Sequence, residues 1–295
     1  MKFAVVFPRC VLLVSQQCCR ATSSTASSAC PAPGTNQSVL GAVCIVFCNN
    51  LRRETTLNST PAFSGVFGGG GLFGIGYGMG VVDGLRKRGI DLSNSPMLGT
   101  SAGSWVAAAT ALGVPFSALA SLPVPRFPNP KAGVLAASAE KVFGKSNSSL
   151  VHVVTCQLPS LRRTQMSGSD FPLSSLVAAS SAVPGLLAPQ KLGKHFYIDG
   201  GVRSGVSVDW AHPSETLIVI APLAGAMFGP FGSFVERKMR REMKEWIAKY
   251  SGRILLFAPK ESTSHIATLP QHLFNKEKAL AAYEHGLNEA TNAVL

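Results

Sequence analysis

The stretch Met97–Trp105, MLGTSAGSW, constrains the fold of this chain more than any other. A short apolar run ends in GTSAG, and an alanine-rich segment over residues 106–112 follows. Gly-x-Ser-x-Gly between a strand and a helix is typical of a nucleophile elbow, where the serine occupies a tight, strained turn and the glycines let strand and helix approach closely. Here Gly99 and Gly103 flank Ser101, whose hydroxyl would lie at the positive end of the helix dipole. Alone, the pentapeptide fits an ordinary glycine-rich turn equally well.

A second glycine cluster precedes this stretch. Phe63–Phe67 is a short apolar run that predicts a strand, residues 68–80 read GGGGLFGIGYGMG, and residues 81–88 predict a helix that ends at Gly89. A strand, a glycine-rich loop and a helix form the usual setting for an anion site built from backbone N–H groups.

Two functional interpretations of this cluster compete. Gly69-x-Gly71-x-x-Gly74 matches a dinucleotide fingerprint, but the candidate ribose-binding acid, Asp91, precedes a polar turn and does not follow a clear strand. Alternatively, the glycine N–H groups form an oxyanion loop that holds the negative oxygen of a tetrahedral acyl intermediate. The oxyanion loop is favoured because GTSAG follows a short distance downstream.

A carboxylate supplies the third element. Asp199 follows a predicted strand over residues 191–198 and precedes Gly200 and Gly201. A carboxylate at the end of a buried strand, with bare glycine backbone behind it, can approach another active-site group closely. Asp-Gly is also among the strongest turn signals, so this motif alone predicts only a turn.

In this order the motifs resemble the patatin-like phospholipase family, in particular its bacterial-type branch. GGGGLFG comes first, GTSAG second, and SAVPGLLAP followed by YIDGG third, so the resemblance covers roughly residues 63–222. It implies a three-layer α/β/α fold with a mostly parallel central sheet, and the alternation of predicted strands and helices agrees with an α/β domain. It also implies a serine lipid acyl hydrolase, of phospholipase, lysophospholipase or esterase type, that works through an acyl-enzyme without a metal or organic cofactor.

The resemblance assigns roles to the matching residues. Ser101 is the nucleophile and Asp199 is the base that activates it. The oxyanion motif comprises Gly69, Gly70 and Gly71 as donors, Gly74 as the residue that closes the loop, and Ala102. A carboxylate can serve as this base if desolvation raises its pKa toward neutrality. One departure is Phe73, which occupies a position that is usually Arg or Lys in the family, and another is an extra residue between Gly74 and Gly80.

Two alternatives to the Ser–Asp dyad stay open. One is an α/β-hydrolase with a Ser-His-Asp triad that draws on His265, His272 or His285. The other is a catalytically inactive lipid-binding protein of the same fold.

The chain divides by composition near residue 60. Residues 1–53 carry five basic residues and no acid, and six of the seven cysteines precede residue 50. We predict an N-terminal extension over residues 1–60, a targeting or disordered segment, and an acyl hydrolase domain over residues 61–295. A lone later cysteine, Cys156, suits a reducing compartment. The expected location is the cytoplasm, a membrane periphery or an organelle reached through residues 1–60.

The expected partner is a lipid or acyl-ester substrate, with peripheral membrane contact. The formal net charge is +12, but no nucleic-acid-binding motif or transmembrane segment is present in the sequence. Residues 234–250 predict a basic amphipathic helix, for which packing on the sheet is favoured over lying on a membrane.

Four further segments complete the prediction. Residues 114–148 carry five prolines and predict a loop with a helix near 132–143, serving either as a cap over the site or as a passive connection. Thr216–Leu223 predicts a central parallel strand. Residues 225–232 predict a glycine-rich loop, and residues 276–295 predict a closing helix.

Overall fold

The computed structural model describes residues 60–225, 228–260, 263, 266–267 and 269–294. Apart from Thr60, the predicted N-terminal extension therefore lies outside the described residues, and its assignment stays a prediction.

A single eight-stranded sheet forms the centre of the domain, in the order β5-β6-β3-β2-β1-β7-β8 with β4 paired to β3. The strands are β1 Phe63–Phe67, β2 Met97–Thr100, β3 Val151–Gln157, β4 Arg162–Ser167, β5 Gln190–Leu192, β6 His195–Asp199, β7 Thr216–Ile220 and β8 Arg253–Phe257. Strands β3, β2, β1, β7 and β8 run parallel, whereas β4, β5 and β6 pair antiparallel. The mostly parallel sheet is confirmed, and β7 is the predicted central strand because it lies between β1 and β8.

Helices cover both faces of the sheet. They are α1 Gly71–Lys87, α2 Ala102–Leu112, α3 Phe116–Ser121, α4 Val134–Phe143, α5 Leu173–Ser180, α6 Gly229–Tyr250 and α7 Lys276–Thr291. One core contains apolar side chains of α1, α2, α5 and α7, and a second core, on the other face, contains side chains of α6. The three-layer α/β/α arrangement is therefore confirmed.

The parallel strands are buried on both faces, which is why their sequences are continuously apolar. Phe67 and Met97 belong to the first core, while their neighbours Val66 and Leu98 belong to the second. In α6, Trp246 is fully buried in the second core, and a side chain of this size contributes on the order of 3 kcal/mol of hydrophobic stabilisation. The apolar side of this helix thus packs on the sheet, as the favoured interpretation of residues 234–250 predicts.

The glycine-rich segment differs from its prediction. Helix α1 begins at Gly71, not near residue 81, and Gly74 lies inside it, where its N–H donates to the Gly70 carbonyl at 2.8 Å. The assignment of Gly74 as a loop-closing residue is therefore wrong. The glycines serve helix packing instead, because a Cβ at Gly76 or Gly80 would overlap a backbone carbonyl oxygen of α7.

Other boundaries also shifted. The sequence analysis did not predict α3 or β4, since the first is a single short helix among prolines and the second has polar side chains on an outer strand. The predicted loop over 225–232 is wrong from residue 229 onward, where α6 begins, and the closing helix ends at Thr291. No helix among the described residues is long and apolar enough to span a membrane.

Candidate active site

Strand β3 brings the separate motifs to one place. One edge of β3 pairs with β4 from residue 152 to residue 157. Strands β2 and β6 therefore both pair with the other edge of β3. On that edge Thr100, the last residue of β2, is opposite Val154, and Asp199, the last residue of β6, is opposite Thr155. The ends of β2 and β6 therefore meet, and Ser101 and Asp199 come together although they are far apart in sequence.

Ser101 occupies a strained turn between β2 and α2. Its backbone has φ 54° and ψ −123°, a region that non-glycine residues rarely adopt and that costs of order 1–3 kcal/mol. The turn depends on glycines at both sides. A Cβ at Gly99 would lie 2.5 Å from the Gly103 carbonyl oxygen, and a Cβ at Gly103 would overlap the Phe67 carbonyl.

Serine side chains of α5 and its C-terminal end hold this turn in place. The Ser101 N–H donates to Ser180 Oγ at 2.9 Å, and Ser180 Oγ in turn donates to the Val154 carbonyl at 2.8 Å. Trp105 Nε1 of α2 donates to Ser181 Oγ at 3.1 Å. The sequence analysis missed Ser180, although it directly precedes the SAVPG motif, because small polar residues in a helix predict nothing specific.

Asp199 is buried, with 4% of its surface exposed. Its carboxylate accepts a hydrogen bond from the Gly201 N–H at 2.7 Å and lies near the Ser101 side chain. Burial raises the pKa of Asp199 to about 6, because desolvation of the charged form outweighs the opposing effects of Ser101 and of the Gly201 N–H. Gly200 lets the chain turn here, since a Cβ at this position would lie 2.5 Å from the Val154 carbonyl oxygen.

The glycines ahead of α1 offer fewer free donors than expected. The Gly69 N–H donates to the Gly205 carbonyl at 2.9 Å, so its assignment as an oxyanion donor is wrong for this conformation. The N–H groups of Gly70, Gly71 and Ala102 have no hydrogen-bond partner among the residues that the structure describes. Gly69 instead allows close approach, because a Cβ there would lie 3.3 Å from Ser101 Cβ.

Phe73 is a core residue. It is fully buried, its ring is parallel to that of Tyr77 at 6.5 Å, and it meets the ring of Phe228 edge-on at 5.9 Å. The position that is usually basic in the family thus carries an aromatic side chain without access to a ligand.

An apolar pocket opens beside Ser101. Its lining comes from α1, α2, the segment between α2 and α4, α4 itself, the residues after α5 and the turn before α7. The lining includes Leu72, Ile75, Ser101, Ala102, Trp105, Leu119, Leu122, Pro123, Phe127, Leu135, Val183, Leu186, Leu187 and Phe274. Of the two roles considered for residues 114–148, the structure favours a cap, because this segment forms one wall of the pocket.

A loop over residues 204–208 connects the site to α6. Its Gly205 carbonyl accepts the Gly69 N–H, and its Val206 carbonyl accepts Thr100 Oγ1 at 3.4 Å. Glu242 of α6 holds the loop from behind, since its buried carboxylate accepts the Val208 N–H at 3.1 Å. Burial raises the pKa of Glu242, opposed first by a hydrogen bond from Ser204. The sequence analysis did not single out Glu242, because an acid in a charged helix predicts a solvated position.

The alternatives find less support in this geometry. His285 Nε2 lies 3.1 Å from Thr263 Oγ1, the His272 ring accepts the Leu269 N–H at 3.4 Å, and His265 lies outside the described residues. The Ser101 side chain lies near Asp199 itself and lowers its pKa. Asp91, the candidate ribose-binding acid, is exposed in a turn and accepts the Ser93 N–H at 3.0 Å.

No group of three or more His, Cys, Asp or Glu residues in the described part of the chain is arranged to hold a metal ion. Cys156 is a buried free thiol on β3.

Comparisons with known proteins match a family model to part of the chain. The model of the patatin-like phospholipase family matches residues 125–212, which confirms the resemblance over a range that includes Asp199 but begins after Ser101. No curated protein matches the chain. Among solved structures, the crystal structure of VipD from Legionella pneumophila matches with 12% identity and a TM-score of 0.42, covering 78% of this chain and 66% of that chain. The chain thus spans just under two thirds of VipD.

Proposed function

We propose that this protein is a serine lipid acyl hydrolase of phospholipase, lysophospholipase or esterase type, because residues 125–212 match the model of the patatin-like phospholipase family. Ser101 is the nucleophile and Asp199 is the general base. One observation carries the proposal: β3 brings the ends of β2 and β6 together, so the buried Asp199 carboxylate lies near the Ser101 side chain, which lowers the pKa of Asp199.

Acylation needs a base that is ionised at neutral pH and still basic enough to take a hydroxyl proton. An Asp199 pKa of about 6 meets both conditions, because the group is mostly ionised at pH 7 and more basic than an exposed aspartate. The Ser101 oxygen attacks the acyl carbonyl as its proton moves to Asp199. That proton then passes to the leaving alcohol, which leaves the acyl group on Ser101.

The negative carbonyl oxygen of the tetrahedral intermediate needs hydrogen-bond donors. The unpaired N–H groups of Gly70, Gly71 and Ala102 are the available ones, and Ala102 is the first residue of α2, at the positive end of the helix dipole. One such donor contributes about 3–4 kcal/mol of transition-state stabilisation. Water then attacks the acyl-enzyme, with Asp199 again as base.

The pocket supports an acyl chain as the group bound beside Ser101. Leu119, Leu135, Leu187 and Trp105 all belong to its lining, whose side chains are almost all apolar. A hydrocarbon chain loses water there without leaving a buried polar group unpaired. Because Phe73 is buried, we propose that this position plays no part in recognising an anionic head group.

The test is a panel of phospholipid, lysophospholipid, triacylglycerol and simple esters, assayed with the wild type, Ser101→Ala and Asp199→Asn. Each variant should fold and lose hydrolysis of every ester that the wild type cleaves. His285→Gln is the matched control and should retain activity. Loss of activity in His285→Gln with full activity in Asp199→Asn would instead support the Ser-His-Asp triad.

A fluorophosphonate probe separates the enzyme from an inactive lipid-binding protein of the same fold. The proposal expects labelling of the wild type at Ser101 and none in Ser101→Ala. A folded wild type that binds lipid but is never labelled would contradict the proposed activity.

A further inference from the structure

The first turns of α6 present aromatic side chains to solvent. Phe231 is 57% exposed and Phe234 is 63% exposed. Val235, Met239 and Trp246 of the same helix are buried in the second core, which does not include Phe231 or Phe234. The exposed aromatics therefore contribute nothing to the core and form an apolar surface that lacks a partner among the described residues.

These aromatics lie near the C-terminal ends of the parallel strands, as Ser101 does. Helix α6 follows β7, and β7 is parallel to β1, the strand that leads into the glycines. Contacts connect the two places directly. The Gly205 carbonyl accepts the Gly69 N–H, and a Cβ at Gly205 would lie 3.3 Å from a methyl group of Val235. The first turns of α6 thus lie beside the loop that contacts the glycines next to Ser101.

The segment that follows Asp199 extends this surface. Val202, three residues after Asp199, is 46% exposed. The next residue, Arg203, is also exposed, and its carbonyl accepts a hydrogen bond from Lys238 Nζ of α6. Apolar tips and cations from both segments are therefore neighbours.

A groove beneath Phe234 collects positive charge. It is lined by Arg163, Arg203, Asp209, Phe234, Arg237, Lys238, Arg241, Glu242 and Glu245, with a volume of about 520 Å³. Its three acids are already paired: Asp209 and Glu242 with Arg163, and Glu245 with Arg241. Arg203, Arg237 and Lys238 have no carboxylate within 4 Å among the described residues, so the groove keeps a net positive charge.

We propose that Val202, Arg203, Phe231, Phe234, Arg237 and Lys238 form a docking surface that seats the protein on an anionic lipid leaflet. The aromatic tips enter the boundary between head groups and acyl chains, and the cations meet the lipid phosphates. We infer anionic lipid as the partner because the unpaired cations of this surface complement its negative charge. Its role in presenting substrate to Ser101 rests on the proposed hydrolase function, whereas the binding itself does not.

Full-length protein carrying Ser101→Ala tests this binding, because it leaves the vesicles intact. Co-sedimentation is measured with vesicles of phosphatidylcholine and phosphatidylserine in equal parts, and with pure phosphatidylcholine vesicles as the neutral arm. The variants are Phe231→Ala with Phe234→Ala, and Arg237→Glu with Lys238→Glu. The matched control is Lys244→Glu with Lys249→Glu, an equal change of charge that starts about 9 Å farther along α6.

The proposal expects the parent to bind the anionic vesicles more tightly than the neutral ones. Both docking variants should bind the anionic vesicles roughly tenfold more weakly than the parent, and the control should stay close to the parent. Equal losses in the Arg237/Lys238 variant and in the control would overturn the docking surface, since they would show a response to net charge alone. Unchanged binding in both docking variants would overturn it as well.

A second readout separates this proposal from the hydrolase function. With Ser101 intact, the docking variants should hydrolyse a soluble short-chain ester at the wild-type rate and lose activity on the anionic vesicles. If no ester is cleaved by any form while the vesicle binding follows the expected pattern, the hydrolase proposal fails and the docking surface stands.

Discussion

The candidate site has two halves that are held in different ways. The nucleophile half, residues 63–112, is held by backbone packing, since Gly99 and Gly103 allow main chain to approach main chain around Ser101. The base half, residues 150–212, is held by side-chain hydrogen bonds and by the antiparallel pairing of β6 with β3, and it buries the Asp199 carboxylate. The family model matches the whole of the second half and none of the first. The contrast teaches that one site can rest on close backbone contacts on one side and on polar side chains on the other.

Both halves carry a cost for folding. The Ser101 turn has a strained backbone, and Asp199 is ionised in a buried position. Such costs at functional positions are offset by the surrounding core. Substitutions that act on one half alone therefore test the comparison.

The largest effect is expected from Gly103→Ala in the nucleophile half. The new Cβ would overlap the Phe67 carbonyl, and neither backbone segment can move without disrupting β1 or α2. We expect a loss of about 3 kcal/mol or more in the free energy of unfolding. Gly113→Ala is the control: its Cβ has open space, and only its φ of +67° is unfavourable, at a cost of about 1 kcal/mol. Equal losses in urea denaturation would contradict tight packing at the elbow.

A change of similar size but opposite sign is expected from Asp199→Asn in the base half. The pKa of Asp199 is raised from 3.8 to about 6, so its contribution to stability is fully present below pH 3.8 and is lost as the pH rises through about 6. At about 1.4 kcal/mol per pH unit, ionisation costs the folded protein about 3 kcal/mol at higher pH. The neutral amide avoids this cost, so the inactive variant should be more stable than the wild type at pH 8.

Urea denaturation at pH 8 and near pH 4 checks the sign of this effect. The gain from Asp199→Asn should be large at pH 8 and nearly absent near pH 4, where the wild-type carboxyl is protonated. A gain that does not depend on pH would contradict the burial of an ionised Asp199.

The smallest effect is expected from Ser180→Ala, which connects the two halves. It removes the acceptor for the Ser101 N–H and the donor to the Val154 carbonyl. We expect a loss of about 2 kcal/mol in the free energy of unfolding, together with slower hydrolysis. Ser175→Ala is the matched control, because Ser175 lies on the same helix and its side chain has no hydrogen bond within the part of the chain that the structure describes. A loss of stability without any change in hydrolysis would contradict a role of Ser180 in orienting the elbow.

The contacts made by glycine backbone could be predicted from the sequence, whereas those made by polar side chains could not. The strained turn and the close contacts around Ser101 require glycine, so they leave a visible pattern, and so does the Asp-Gly-Gly turn. The contacts of Ser180 and Glu242 depend on which strands and helices become neighbours, and a serine or a glutamate in a helix carries no signal of that.

The glycine-rich segment shows the limit most clearly. The sequence predicts a loop at Gly76 and Gly80, since glycine is a poor helix former. They lie in α1 instead, because α7 packs directly on their backbone. The pairing of the Gly69 N–H with Gly205 was equally hidden, since it depends on a loop far downstream in the chain. Tertiary contacts thus overrode local propensity in the segment that looked most like a loop.

The rate of fluorophosphonate labelling as a function of pH shows whether Asp199 activates Ser101 without an intermediary. In the wild type the rate should rise with pH through about 6, as Asp199 loses its proton. In Asp199→Asn the labelling should be slower by orders of magnitude and should not show this rise. If Asp199→Asn labels as fast as the wild type with the same pH profile, Asp199 is not the base and the account is wrong.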